Sequence, residues 1–188
     1  MKKYLAMLLV GLAVLTSSCA RNFEGSASDL MPAPDEIDSR YTLGSEETES
    51  PFAGLGVQEI SYSQRSYSDS ENEYHAIGFK TFVYDKLDDA GYMYFIYREL
   101  LMRSEDVPVI EDSARGTLQN AELSTLLYSI ESSSNDNYVK LWLLFNKNNV
   151  VGLISSGGIG AKDNTDGALK LYADEAIQYA EIILSKIP

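Results

Sequence analysis

Between residues 74 and 84 the chain reads YHAIGFKTFVY, and its side chains alternate in character. His75, Ile77, Phe79, Thr81 and Val83 fall on one side of an extended chain. Tyr74, Ala76, Gly78, Lys80, Phe82 and Tyr84 fall on the other. A period of two, rich in aromatic and β-branched residues, predicts a strand. Residues 58–67 predict its partner across the polar turn SDSENE. The period then becomes helical. Ala90, Met93, Tyr94, Tyr97 and Leu101 share one face, Asp85 or Asp88 can cap the start, and Arg98 and Arg103 sit where the helix dipole favours cations. Residues 107–131 predict a short extended piece followed by a strand over AELSTLLYSIE. The run YVKLWLLFNKNNVVGLISS predicts a hairpin that turns at residues 146–149, because asparagine tolerates positive φ. Leu169, Ala173, Ala176, Ile177, Ala180, Ile183, Leu184 and Ile187 form an unbroken helical stripe, so the last helix spans about 166–187.

The resulting order is β-β-α-β-β-β-α. Hairpin connections make the sheet largely antiparallel, so the fold class is α+β: about five strands with two helices packed on one face. This layout over residues 58–187 is similar to that of PsbP-like extracytoplasmic domains, a likeness of element order that carries no activity. One globular domain is expected over 51–188. Residues 19–50 are acidic, contain Pro32 and Pro34, and show no hydrophobic period. They read as a flexible tether with an end-to-end distance of roughly 30 Å; a peptide that folds on a partner is the other reading.

The first residues have a different logic. Lys2 and Lys3 precede an uncharged, mostly apolar run from 4 to 15, then Thr16, Ser17, Ser18 and Cys19. This is the layout of a secretory signal. As a helix the run covers about 18 Å, short of the ~30 Å hydrocarbon core. The stretch LTSSCA resembles the lipobox of bacterial lipoprotein precursors, with Leu15 one step further from the cysteine than usual and Thr16 in its place. The resemblance implies cleavage between Ser18 and Cys19, a diacylglyceryl thioether on Cys19, acylation of the new amino group, and anchorage to the cell membrane or outer membrane on the extracytoplasmic side. An ordinary cleaved signal and an uncleaved short anchor are the alternatives.

Composition narrows the partners. The net charge of −13 repels phosphate backbones, so nucleic acid is not expected as a ligand. One cysteine and one histidine form neither an internal disulfide nor a zinc site of the usual kinds. No metal and no organic cofactor is expected. The partners expected are membrane lipid, through acylated Cys19, and an envelope protein or a small ligand.

Motifs for catalysis do not complete themselves. Gly157, Gly158 and Gly160 lack the spacing of a phosphate loop and read as a flexible link into the last helix. AKDNTDG places Gly167 and Asp174 where a calcium loop wants other spacing, so Asp163, Thr165 or Asp166 reads as a helix cap. His75 has no evident nucleophile and reads as a partly exposed strand residue; Ser155 is not in a nucleophile elbow. Asp88–Asp89 and Glu111–Asp112 are adjacent pairs, unsuited to facing each other across a cleft. The aromatic residues suggest more. If one sheet face exposes Tyr74, Phe82, Tyr84 and Trp142 together, it becomes a binding surface. The expected function is therefore non-catalytic binding or accessory work at the envelope. The alternatives are a small-molecule carrier with a pocket lined by Tyr94, Tyr97 and Leu184, and a hydrolase using carboxylates on the sheet and the loop 155–166.

Overall fold

A computed structural model describes residues 21–48, 53–104 and 108–188. The expected signal peptide, Ser18 and Cys19 lie outside the described residues. The elements are α1 (Ala27–Leu30), β1 (Tyr41–Glu47), β2 (Ala53–Gly54), β3 (Val57–Asp69), β4 (Ala76–Tyr84), α2 (Leu87–Ser104), β5 (Ile110–Glu111), β6 (Leu123–Ser132), β7 (Asp136–Lys147), β8 (Val150–Ala161) and α3 (Thr165–Ser185). The fold is α+β. Seven strands form one antiparallel sheet in the order β1-β3-β4-β8-β7-β6-β5, and β2 adds a short pair to β3. The five long strands are those the alternation predicts. Both edges, β1 and β5, lack a strong period of two.

The two long helices cover opposite faces, not one. Ile77, Phe79 and Val83 of β4, Val139, Leu141, Leu143 and Phe145 of β7, and Ile154 of β8 pack against the stripe Leu169, Ala173, Ala176, Ala180, Ile183 and Leu184 of α3. On the reverse face Tyr62, Phe82, Tyr84, Leu144 and Val151 pack against Ala90, Met93 and Tyr94 of α2. The cause is readable in β4 and the β7–β8 hairpin. Near their shared end these strands are apolar on both faces, so each face there must be covered. Tyr94 and Leu184 therefore lie on opposite sides of the sheet and cannot line one cavity.

The hairpin turn falls where asparagine predicts it, with Asn148 at φ 52°. Asn146 Nδ2 donates to the carbonyls of Asn148 and Val150 at 3.1 and 3.0 Å. Lys147 closes the end of α3, its Nζ donating to the carbonyls of Leu184 and Ile187 at 3.2 and 2.5 Å. The glycines of β8 are ladder residues rather than a flexible link: Gly157 pairs with Lys140, Gly158 with Val139 and Gly160 with Asn137. They let α3 approach. A Cβ on Gly158 would lie 2.5 Å from Tyr172 Oη, and one on Gly160 would lie 2.7 Å from Ala168 Cβ.

The expectation of a tether over 19–50 fails for the described part. Ala27, Leu30, Met31, Ile37 and Tyr41 are all buried in the α3-side core. Asn149 holds Phe23 through both main-chain groups: Phe23 N–H donates to Oδ1 at 2.6 Å, and Nδ2 donates to the Phe23 carbonyl at 3.2 Å. The Ala27 N–H donates to Ser61 Oγ, and Thr81 Oγ1 donates to the Ala27 carbonyl, each at 2.8 Å. The globular unit thus begins well before residue 51. Sequence pattern misses this because the buried residues here are spaced irregularly and anchored by side-chain-to-main-chain bonds. Leu30→Ala should destabilise the domain by about 2–5 kcal/mol in urea unfolding, the range for a buried leucine; a free tether residue would shift the midpoint negligibly.

Candidate functional site

Two places gather chemistry. The first is a buried polar cluster where β3, β4 and β8 meet α3 beneath residues 38–41. His75 and Asp69 are almost fully buried. His75 Nδ1 lies 3.1 Å from Asp69 Oδ2, and its Nε2 lies 3.3 Å from Ser156 Oγ. Its ring packs 4.7 Å from that of Tyr172. Glu175 of α3 reaches into the same space. Its Oε1 accepts from Tyr41 Oη at 2.6 Å and from an Arg40 guanidinium nitrogen at 2.5 Å. Its Oε2 lies 3.3 Å from His75 Nε2, close enough for attraction but outside hydrogen-bonding angle. Arg40 Nε stands 3.7 Å from Asp69 Oδ2.

The electrostatics follow from this packing. Burial pushes Glu175 up, but attraction to His75 and the hydrogen bonds from Tyr41 and Arg40 outweigh it and hold the carboxyl below its usual range. Asp69 is likewise raised by burial and then brought lower by the Glu71 N–H, His75 and Arg40. Burial, with Glu175 beside it, pushes the Tyr41 phenol well up. His75 is thus a core residue, not the partly exposed strand residue its context suggests. Its polar partners come from positions 41, 69, 156 and 175, and no local spacing connects them.

Asp69, His75 and Ser156 stand in the acid–imidazole–hydroxyl order of a nucleophilic relay. The surroundings are not those of a working one. Ser156 is buried, and β8 is paired on both sides, to β4 and β7, so its main-chain N–H groups are committed to the ladder. Glu175 faces the same imidazole nitrogen as the serine. The cluster's evident work is to tie residues 38–41 and α3 to the sheet.

The second place is the reverse face of the sheet, where α2 stops short. Cross-strand neighbours Ser66, Gly78, Ser155 and Trp142 make one row, and Ala76, Gly157 and Lys140 the next. Small side chains in the middle and large ones on β7 leave a groove of about 360 Å³, lined by Ser66, Gly78, Tyr138, Trp142, Ser155 and Gly157 among others. Tyr138 leans over Gly157, with Oη 3.5 Å from where a Cβ would stand. Beside α2 a smaller apolar cleft of about 230 Å³ is lined by Lys80, Phe82, Tyr97, Leu100, Leu101 and Leu153.

The four expected surface aromatics are not together. Trp142 lines the groove, and Tyr74 is 55% exposed on the turn before β4. Phe82 and Tyr84 are buried beneath α2. Their burial follows from α2 occupying this face. The paired acids are structural too: Asp88 and Asp89 lie in the first turn of α2, Glu111 binds Arg98, and Asp112 accepts from the Arg115 N–H. The bond from Arg98, aided by Thr125 and Ser113, lowers Glu111 to about 2. The loop 155–166 is largely strand β8.

One acid has no such support. Glu59 is 6% exposed, and neither carboxyl oxygen has a hydrogen-bond partner. Burial alone raises it to about 7. Among the described residues, no three metal-ligating side chains gather, and no helix is long and apolar enough to cross a membrane.

Replacing Glu175 with glutamine should cost about 1.5–3 kcal/mol at pH 7, the range for hydrogen bonds to a charged group. The lowered carboxyl stabilises the fold above its unfolded value of about 4.5, and this is lost as pH falls through the lower folded value. Urea unfolding at pH 7 and pH 3 should therefore show the gap between wild type and variant closing in acid; a gap independent of pH would contradict the assignment.

No family model and no curated protein matches the chain. Among solved structures it is similar to the extracellular domain of PknH from Mycobacterium tuberculosis, at 11% identity and a TM-score of 0.52, covering 83% of this chain and 94% of that one. At that identity the likeness establishes a shared fold and nothing finer.

Proposed function

We propose that this chain is a lipid-anchored extracytoplasmic binding domain, tethered through Cys19 and engaging its partner through the open half of the sheet. The groove beside Trp142 is the observation that carries the reading. It is concave, mixed in polarity and floored by small residues, as ligand and peptide sites tend to be. Its lining includes no carboxylate, on a chain of net charge −13. The extracellular neighbour is consistent with a domain of this kind outside the cytoplasm. The lipobox resemblance supplies the anchor, and two or more acyl chains hold firmly where one holds marginally. The domain works without catalysis, in keeping with the sealed surroundings of His75 and Ser156. A small apolar ligand is the second reading, favoured by the cleft between Tyr97 and Leu153.

Two measurements test this. The wild-type chain expressed in a bacterium should partition with membranes and carry the mass of a lipid-modified Cys19, while Cys19→Ala should be released in soluble form; identical partitioning would remove the anchor. A photocrosslinking residue at position 142 should capture an envelope component that the same residue at exposed Leu171 on α3 does not. Equal yields at both positions would remove the groove as the binding face.

A further inference from the structure

Glu59 has no place in the binding reading, and among the described residues it is the one acid with both carboxyl oxygens buried and unpartnered. It enters on β3 opposite Tyr84 of β4, on the face that α2 covers. Both oxygens are shut away from solvent and from every donor. The groups coupled to it electrically are three phenols: Tyr62 on β3, Tyr84 on β4 and Tyr97 on α2. Beyond them stand two acids, Asp89 in the first turn of α2, acting on Tyr84, and Glu47 on β1, acting on Tyr62. No base offsets Glu59 among the described residues. Tyr84 Oη and Tyr97 Oη are 3.2 Å apart and bonded to each other; one donates, the other keeps its proton, and neither is hydrogen-bonded to the carboxyl.

The neutral acid fits such a site at the cost of an unmade hydrogen bond. The carboxylate does not, because taking an unpaired charge out of water costs far more. Relief lies within reach. Helix α2 reaches this site through Tyr97, which feels the charge of Glu59 and stacks on Phe82 with ring centroids 4.7 Å apart. Both aromatic residues border the cleft of about 230 Å³ that Lys80, Leu100, Leu101 and Leu153 also line. A modest outward movement of α2 around Tyr97 would let water reach the carboxylate. Arg98, bonded to Glu111 of β5 at 3.0 Å, would keep the helix tied on its other side.

We propose that Glu59 is a proton-operated latch on α2: as the neutral acid it leaves the helix seated, and as the carboxylate it drives the helix away from the sheet around Tyr97 and widens the cleft. The proposal does not require that the groove or the cleft bind a partner. It concerns an equilibrium within the chain.

The test is amide hydrogen exchange on the folded protein across pH 5 to 8.5, corrected for intrinsic exchange rates. With Glu59 titrating near 4.5 when open and about 7 when seated, the opening constant of α2 should rise on the order of tenfold per pH unit between those values and level off above about 7. Amides of α3, on the opposite face, should not follow. Glu59→Gln, which keeps the shape of the neutral acid, should show flat protection in α2 over the same range. The proposal is overturned if α2 and α3 lose protection together, if α2 is indifferent to pH, or if Glu59→Gln retains the wild-type dependence. Should that variant not fold, carbon-13 titration of the wild-type Glu59 carboxyl decides: a midpoint near 7 supports the latch, and one in the ordinary carboxylate range ends it.

Discussion

The packing of α3 on the inner face of β4, β7 and β8 is the contact from which the other arrangements follow. The helix brings a full apolar stripe, and the three strands answer with Phe79, Leu141, Leu143, Phe145 and Ile154, all fully buried. At roughly 25 cal/mol per Å² of apolar surface removed from water, this burial is a large stabilising contribution. Once α3 lies there, Tyr172 and Glu175 are fixed over the end of β4, and Gly158 of β8 makes room for Tyr172. His75 then finds an acid at each ring nitrogen. Residues 38–41 are in turn drawn across, because Arg40 and Tyr41 supply the charge and donors that Glu175 needs.

The reverse face is built on a smaller scale, and its character follows from that. One helix covers half of it. The covered half holds a tight aromatic group and, unusually, an unpaired acid. The open half holds Trp142 and Tyr138 above small residues. The sheet thus has one face closed by α3 and the other partly free. In the proposed binding role, the closed face keeps the geometry of the open one defined.

The two polar inclusions contrast in a useful way. Around His75, each buried carboxyl meets donors from several elements, and its charge is favoured. At Glu59, burial acts without compensation, and the charge is disfavoured. Both are nearly solvent-free acids in one small domain. What separates them is whether neighbouring strands and helices happen to present donors. The first sets an acid limit on stability, and the second a sensitivity closer to neutral pH.

Local pattern by itself determined the five long strands, both long helices, the asparagine turn and the inward face of α3, because period and turn chemistry are properties of neighbouring residues. The alternation at 74–84 also separated the two faces of β4 correctly. Tertiary structure alone decided which face each helix covers, that residues 23–47 belong to the folded unit, that the β8 glycines are ladder positions, and that Phe82 and Tyr84 are hidden. It also decided the company His75 keeps. The physical reason is common to all of these. Burial of Leu30 or Tyr41, and pairing of His75 with residues up to a hundred positions away, depend on contacts between distant segments. Such contacts leave no period in either segment, and they exist only after the α3-covered sheet has formed to receive them.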